Sequence, residues 1–317
     1  MRNAGSASEF NLNILDQRAR WRAQRRVLET GTGDPSSGAA RSARLDRLFN
    51  ALLTAAALPL RLLGLYGWGR RNALDLKLTR MALEIADLPA DLEGFRILHL
   101  SDLHVDYLPE ATTVATAMVA GIEADLSVFT GDFQGDPEGP VRAIQPAIEE
   151  LVAAISSRYG VFAVLGNHDC AELVEPLEAA GLTVLLNETQ TIAVGETNLQ
   201  VCGTDDVRRF YSEAAPQALG NAPPGFRVAL VHSADLAQEA AAAGFRLYLA
   251  GHTHAGQICL PGGQVVITRQ DCSRRFAAGL WQEGAMTGYT TSGVGTVVLP
   301  MRFNTWGEVA LLELRRG

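Results

Sequence analysis

From about residue 84 onward, short apolar runs alternate with polar clusters. Arg96-Ile97-Leu98-His99-Leu100 has strand alternation and delivers Ser101-Asp102-Leu103-His104. Leu126 to Thr130 is a second predicted strand, ending at Gly131-Asp132. Apolar residues at helical spacing follow from Ala143 to Ile155. Val161 to Leu165 then opens into Gly166-Asn167-His168-Asp169. A helix over Ala171–Ala180 stops at Gly181, whose freedom at positive φ suits a C-cap. Arg227–Val231 ends at His232, Ala234–Ala243 is a helix closed by Gly244, and Leu247–Ala250 delivers Gly251-His252-Thr253-His254.

Strand, polar tip and helix in alternation predict an α/β protein whose site gathers at the carboxyl ends of strands. Thr191–Val194, Leu199–Gly203, Val265–Thr268, Tyr289–Ser292 and Val309–Leu314 are further predicted strands without intervening helices. They imply a second, more antiparallel sheet packed on the first.

The chain of 317 residues is 47% apolar and 20% charged, which excludes wholesale disorder and suffices for a self-contained core. Cys170, Cys202, Cys259 and Cys272 have no CxxC spacing, so neither a disulfide framework nor a thiolate zinc site is expected. The net charge of −8 hides a split: residues 1–80 hold 14 basic and 6 acidic side chains, the remainder 13 and 29. An acidic body excludes a nucleic-acid partner gripped by bulk charge, but not a phosphate substrate met by metal ions. No protein partner is indicated.

Five of the six histidines, His104, His168, His232, His252 and His254, fall in the polar tips; His99 alternates within a strand and reads as a hydrogen-bonded core residue. Imidazole, carboxylate and amide oxygen without thiolate suit divalent Mn, Fe, Zn, Co or Ni. Some seven such groups exceed the needs of one tetrahedral ion and fit two ions sharing a ligand. Asp106, Glu110 and Asp136, beside these blocks, read as solvated loop acids.

The series Asp102-x-His104, Gly131-Asp132, Gly166-Asn167-His168-Asp169, His232 and Gly251-His252-x-His254 resembles the calcineurin-like metallophosphoesterase superfamily, over about residues 94–317. The resemblance implies a four-layer α-β-β-α sandwich with two mixed sheets. It implies that Asp102, His104, Asp132 and His254 hold a first metal, and that Asp132 bridges to a second held by Asn167, His232 and His252. His168 would sit beside the substrate, steadied by Asp169.

The run Gly251-His-Thr-His-Ala-Gly-Gln257, with Gly293-Val-Gly-Thr296 and Leu299-Pro-Met-Arg302, is similar to a bacterial subgroup that includes membrane-associated phosphodiesterases and UDP-2,3-diacylglucosamine pyrophosphatases. Ala255 stands where that subgroup usually has Gly, and Asn304-Thr-Trp306 where it tends to be proline-rich. The activity implied is in-line hydrolysis of a phosphodiester or pyrophosphate by metal-bound hydroxide, with His168 as general acid. A membrane-borne, lipid-linked substrate is the specific expectation; a soluble phosphodiester or phosphate ester is the alternative, and a scaffold without activity is the remaining one. Arg208 and Arg209, after Asp205-Asp206, are candidates to grip a second phosphate, as is Arg302; a plain surface turn accounts for them equally well.

Residues 1–47 read as a basic tail, with Arg18, Arg20, Arg22, Arg25 and Arg26 ahead of the small, polar linker Gly31–Ala43. Residues 48–72 are apolar, flanked by arginines and carrying Tyr66 and Trp68, with Pro59 and Arg61 breaking the run. An interfacial anchor, a membrane span and a helix docked on the body all fit this segment. Peripheral attachment to the cytoplasmic face is the expected location, and the catalytic domain is expected over 84–317.

Overall fold

The computed structural model describes residues 4–30, 58–265 and 272–317. The linker 31–43, the apolar stretch 48–57 and most of the predicted strand Val265–Thr268 lie outside the described residues. Residues 1–50 and 51–317 form two compact units. In the first, α1 (Ala4–Glu29) is helical, which the reading of residues 1–47 as a basic tail does not anticipate. Arg, Ala, Gln and Leu are among the better helix formers, and they make up most of its second half.

The second unit holds two mixed six-stranded sheets and a short parallel pair, β3 (Glu123–Ala124) with β5 (Ser156–Ser157). The first has the order β1 (Lys77–Ile85), β14 (Glu308–Arg316), β2 (Arg96–Leu100), β4 (Leu126–Phe129), β6 (Val161–Ala163), β7 (Leu182–Val184), and is parallel except where β14 meets β2. The second runs β12 (Gly279–Glu283), β13 (Met286–Thr290), β11 (Leu247–Ala250), β10 (Phe226–Leu230), β9 (Thr197–Gly203), β8 (Glu188–Val194). Its four inner strands are parallel, and only the edges β12 and β8 run antiparallel. The second sheet is thus the more antiparallel of the two, with two antiparallel pairs against one in the first, although its inner strands are parallel. Crossover helices α6 (Ala214–Gly220) and α7 (Ala237–Ala242) join β9 to β10 and β10 to β11, and such helical crossovers return the chain in the same direction. Strand β14, predicted at 309–314, belongs to the first sheet.

The period of two along each strand divides the core. Phe226, Val228 and Leu230 of β10 and Leu247 and Leu249 of β11 face Ile97, Leu126, Val128 and Leu312 of the first sheet. Ala229, Val231, Tyr248 and Ala250 point the other way, onto Ala215, Leu219, Ala237 and Ala240 of α6 and α7. Helices α3 (Pro109–Val119), α4 (Gln145–Ala153) and α5 (Val174–Ala179) pack side by side along the first sheet. The result is a helix–sheet–sheet–helix stack.

The domain begins earlier than residue 84. Strand β1 starts at Lys77, and before it α2 (Leu65–Leu74) docks on residues 299–303. Trp68 meets Phe303 edge-on at 5.3 Å, the amide of Arg302 donates to the Gly69 carbonyl at 3.0 Å, and a Cβ on Gly69 would strike Met301 and Phe303. This later half of the apolar segment is a docked helix. Leu58, Leu62, Leu63 and Trp68 nevertheless remain exposed, and no helix among the described residues is long and apolar enough to cross a membrane.

His99 lies between the sheets, fully buried, with Nε2 2.9 Å from the Thr130 hydroxyl. Burial pushes the ring down to about 3. The unfolded chain takes up this proton below about pH 6.5 and the folded chain does not, so stability is full above that pH and is lost as pH falls toward 3. At most about 1.4 kcal/mol goes per pH unit. In urea melts with chelator present, we expect wild type to lose about 2 kcal/mol more than His99→Gln between pH 7 and 4.5. Equal losses would show that the ring is not held neutral.

Candidate metal centre

Three neighbouring parallel strands of the first sheet and two of the second end at one place. Strand β2 delivers Asp102 and His104, β4 delivers Asp132 and β6 delivers Asn167; β10 delivers His232, and β11 delivers His252 and His254. The loops are laced together by backbone bonds, Asp102 N–H to Gly131 O at 2.9 Å, His104 N–H to Asp132 O at 3.1 Å and Gly251 N–H to His232 O at 2.9 Å. Five of these seven residues sit in the left-handed region: Asp102, His104, Asp132, His252 and His254, at φ between 40° and 72°. Each costs about 1–2 kcal/mol, so the surrounding packing must impose it. Ala255 joins them at φ 48°, and its methyl carries the same strain at the position where the similar subgroup has glycine.

Close-packed glycines impose part of this geometry. A Cβ on Gly166 would fall on the Asp132 carboxylate, one on Gly251 would fall on Ser101 and Asp102, and one on Gly293 would reach Asp102 Cβ.

The side chains form two nests. In the first, His254 Nε2 lies 3.1 Å from His104 Nε2 and 3.4 Å from Asp102 Oδ1, and all three residues are buried. In the second, His252 Nδ1 is 2.9 Å from Asn167 Oδ1 and 3.3 Å from His232 Nε2. Asp132 Oδ2 belongs to both, 3.5 Å from His104 Nε2 and 3.3 Å from His232 Nε2. Its other oxygen accepts from the His168 amide at 2.9 Å. Asn167, His168 and His252 are half-buried, so the second nest lies nearer solvent.

The proton positions test whether this set fits a metal. His104 Nδ1 faces the Gln134 carbonyl at 3.0 Å and His232 Nδ1 faces the Thr130 carbonyl at 2.7 Å. A carbonyl only accepts, so both rings hold a proton on Nδ1 and in the neutral form turn a lone pair from Nε2 toward Asp132 Oδ2. Lone pair against lone pair is repulsive unless a cation stands between them. Without one, a proton must serve. Burial opposes charge on His232, but the carboxylates of Asp132 and Asp102 outweigh it and push the ring up to about 10. Burial holds His104 at about 3 and His254 well below the usual histidine range. It also raises Asp102 to about 6. Burial opposes ionisation of Asp132 as well, yet the neighbouring His232 and His168 keep its carboxyl well below the carboxylate range. The donor set fits two divalent cations, one in each nest, with Asp132 Oδ2 facing both.

The remaining sequence candidates divide. The His168 ring is at the site, edge-on to His104 at 5.0 Å, with Nδ1 2.5 Å from the Gly135 carbonyl. Asp169 does not steady that ring. Its carboxylate accepts from the amides of Asp132 and Gly166, both at 2.8 Å, and of Phe133 at 2.8 Å and Gln134 at 3.2 Å. It is the clasp of the loop that carries Asp132, and burial, with the Asp132 charge, raises it to about 6. Arg209 is exposed at the rim, with Nη1 3.4 Å from the Asn167 carbonyl. Arg208 turns instead to Asp235 at 3.2 Å. Arg302 is fully buried and donates to backbone carbonyls, which removes it as a substrate contact. Asp106 is a loop clasp too, accepting from the amides of Gly135 and Asp136. Glu110 pairs with Arg70 at 2.5 Å and Asp136 accepts from the Glu138 amide, so both are the surface acids expected.

Gln257 was not singled out from sequence. Its side chain accepts from the Val297 amide and donates to the carbonyls of Val297 and Leu299, tying the His254 loop to residues 297–299. Its place three residues after His254 in the histidine block was the available signal.

Residues 95–256 match a family model described as calcineurin-like phosphoesterase. Among curated proteins, the uncharacterized metallophosphoesterase YkuE of Bacillus subtilis (strain 168) is 28% identical over 261 residues, 78% of this chain and 90% of its own. Phosphodiesterase YaeI of Escherichia coli (strain K12) is 31% identical over 230 residues, 69% and 82% of the two chains. The UDP-2,3-diacylglucosamine pyrophosphatase LpxG of Chlamydia trachomatis is 32% identical over 114 residues, 34% and 33% of the two.

Proposed function

The chain belongs to the calcineurin-like phosphoesterase family, and from that premise we propose that it is a phosphodiesterase working through two divalent cations in the paired nests. One observation carries the proposal: a single carboxylate oxygen, Asp132 Oδ2, faces imidazole nitrogens of both nests. Bound cations would supply Lewis acidity and lower the pKa of a coordinated water. Asp102, His104 and His254 would hold one, and Asn167, His232 and His252 the other. Neutral Asn167 in place of a carboxylate leaves the centre more positive, which suits an anionic ester.

His168 is the group for proton delivery. Its Nδ1 proton is committed to Gly135, so Nε2 gives or takes the proton of the leaving oxygen. Arg209 would meet a non-bridging oxygen or a second phosphate at the rim. The similarity to phosphodiesterase YaeI supports a phosphodiester as the substrate class, and a diester in solution is the first reading. A lipid-linked diester or pyrophosphate is the second reading, favoured by exposed Leu58, Leu62 and Leu63 beside the docked helix, with peripheral membrane attachment as its corollary.

The test is purified protein with Mn²⁺ against bis-4-nitrophenyl phosphate, 4-nitrophenyl phosphate and a lipid-linked pyrophosphate in mixed micelles. We expect kcat/KM at least about tenfold higher for the diester than for the monoester. Activity confined to the monoester would overturn the proposal. A lipid preference that vanishes in Leu62→Ser/Leu63→Ser, together with loss of vesicle binding, selects the second reading. Substitution is the sharper tool here, because removing residues 1–72 also removes the Gly69 carbonyl that anchors residue 302.

A further inference from the structure

Arg302 is a cation with no exposed surface and, among the described residues, no carboxylate within ion-pair distance. Its guanidinium instead gathers carbonyls. Nη1 donates to His254 at 3.0 Å and to Trp306 at 3.1 Å, while Nη2 donates to Ser292 at 2.7 Å, Gly293 at 3.2 Å and Gly295 at 2.8 Å. Its backbone is pinned on both sides, the amide to Gly69 O and the carbonyl by Asn72 Nδ2 at 3.1 Å. A buried charge hydrogen-bonded mainly to peptide carbonyls, with one long contact from Nη2 to His254 Nδ1 at 3.5 Å, is costly to keep, and a structure that needed mere packing would do better with an apolar side chain.

The carbonyls it gathers belong to one place. His254 is a member of the first nest and is held at φ 51°. Residues 292–295 form the wall behind Asp102: the Val294 amide donates to Ser101 O at 2.9 Å, the Gly295 amide to Asp102 O at 2.7 Å, and Gly293 lies against Asp102 Cβ. None of Asn167, His232 or His252 is a hydrogen-bond partner of Arg302. The strut acts directly on Asp102 and His254; its link to the second nest is indirect, through the His252 amide, which donates to the Asp102 carboxylate at 3.0 Å.

We infer that Arg302 is a positioning residue for the first nest alone, setting the affinity of that cation site through the backbones of His254 and the 292–295 wall. The inference rests on the dinuclear reading above. With Arg302 replaced, the left-handed His254 backbone relaxes and the wall withdraws from Asp102, while the second nest is retained by its bonds to Thr130 and Asn167.

The experiment is an Mn²⁺ titration of the metal-stripped full chain, followed by electron paramagnetic resonance, in wild type, Arg302→Met and Arg302→Lys. Asp102→Asn and His252→Ala serve as spectral references for loss of the first and second site. Wild type is expected to take up two equivalents and give an exchange-coupled spectrum. Arg302→Met should weaken one site by about ten- to a hundredfold, the usual effect of losing a partner behind a ligand, and leave the mononuclear spectrum of Asp102→Asn. Lysine has three donors for five carbonyls and should restore part of the affinity. If the methionine variant does not fold, the lysine variant decides on the same readout.

Wild-type affinities at both sites, equal loss at both, or a residual spectrum like that of His252→Ala would overturn the inference while leaving the dinuclear centre standing. A wild-type protein that takes up fewer than two equivalents sinks the dinuclear reading and this inference together.

Discussion

Asp132→Asn is expected to lose at least about a thousandfold in kcat, roughly 4 kcal/mol of transition-state stabilisation, and to retain neither cation tightly. The reason is geometric. Every other candidate ligand serves one nest, but Asp132 Oδ2 faces His104 at 3.5 Å and His232 at 3.3 Å. The amide that replaces it is neutral, and one of its two ends is a donor. In either orientation it offers at most one weak oxygen where two cations would share a negative one. Asp132 is also wired into the fold through Oδ1, which accepts from the His168 amide, and through its own amide, which donates to Asp169. Asparagine is isosteric and retains the backbone link to Asp169, so a circular dichroism spectrum like wild type is expected beside the lost metal. Metal analysis after gel filtration checks the claim. A variant that keeps two tightly bound equivalents and loses only turnover would show that Asp132 does not bridge.

The seven candidate ligands were legible in the sequence because their chemistry resides in residue type, and because strand ends in an α/β fold are where such residues gather. What faces them from behind was not legible. Gln134, Thr130 and Gly135 act through backbone carbonyls, which any residue possesses, so no side-chain pattern marks them. Asp169 misled for a related reason. It follows His168 in sequence, yet its carboxylate turns back to the Asp132–Gln134 amides and away from the neighbouring ring. The charge of Arg302 pointed to a phosphate, while its burial, invisible in sequence, turns that charge to peptide carbonyls. Strand β1 escaped notice because it is a sheet edge with only Leu83 and Ile85 fully buried, which blurs its alternation. The parallel run of the second sheet was missed with α6, a seven-residue helix too short for a clear helical period.

His168→Ala should separate chemistry from metal binding. Its ring is edge-on to His104, and its Nδ1 is committed to Gly135. The ring contacts to Asp132 Oδ2 and Asn167 Oδ1, the oxygens that join the nests, come from His104, His232 and His252. Metal content is therefore expected to stay at the wild-type level, while kcat falls by about 10²–10⁴, the range of a lost general acid. The size of the fall depends on the leaving group. A nitrophenolate departs readily without a proton, whereas an alkoxide requires one, so the loss should be near the lower figure for an aryl diester and near the upper for an alkyl diester. A group that only bound the phosphoryl oxygens would slow both by the same factor, since those oxygens are common to the two substrates. Parallel kcat measurements on the aryl and alkyl diesters, each with metal content recorded, distinguish the cases. Equal slowing at full metal occupancy would assign His168 to phosphate binding, and loss of metal in step with rate would make it a support of the centre; a leaving-group-dependent loss identifies Nε2 as the proton donor.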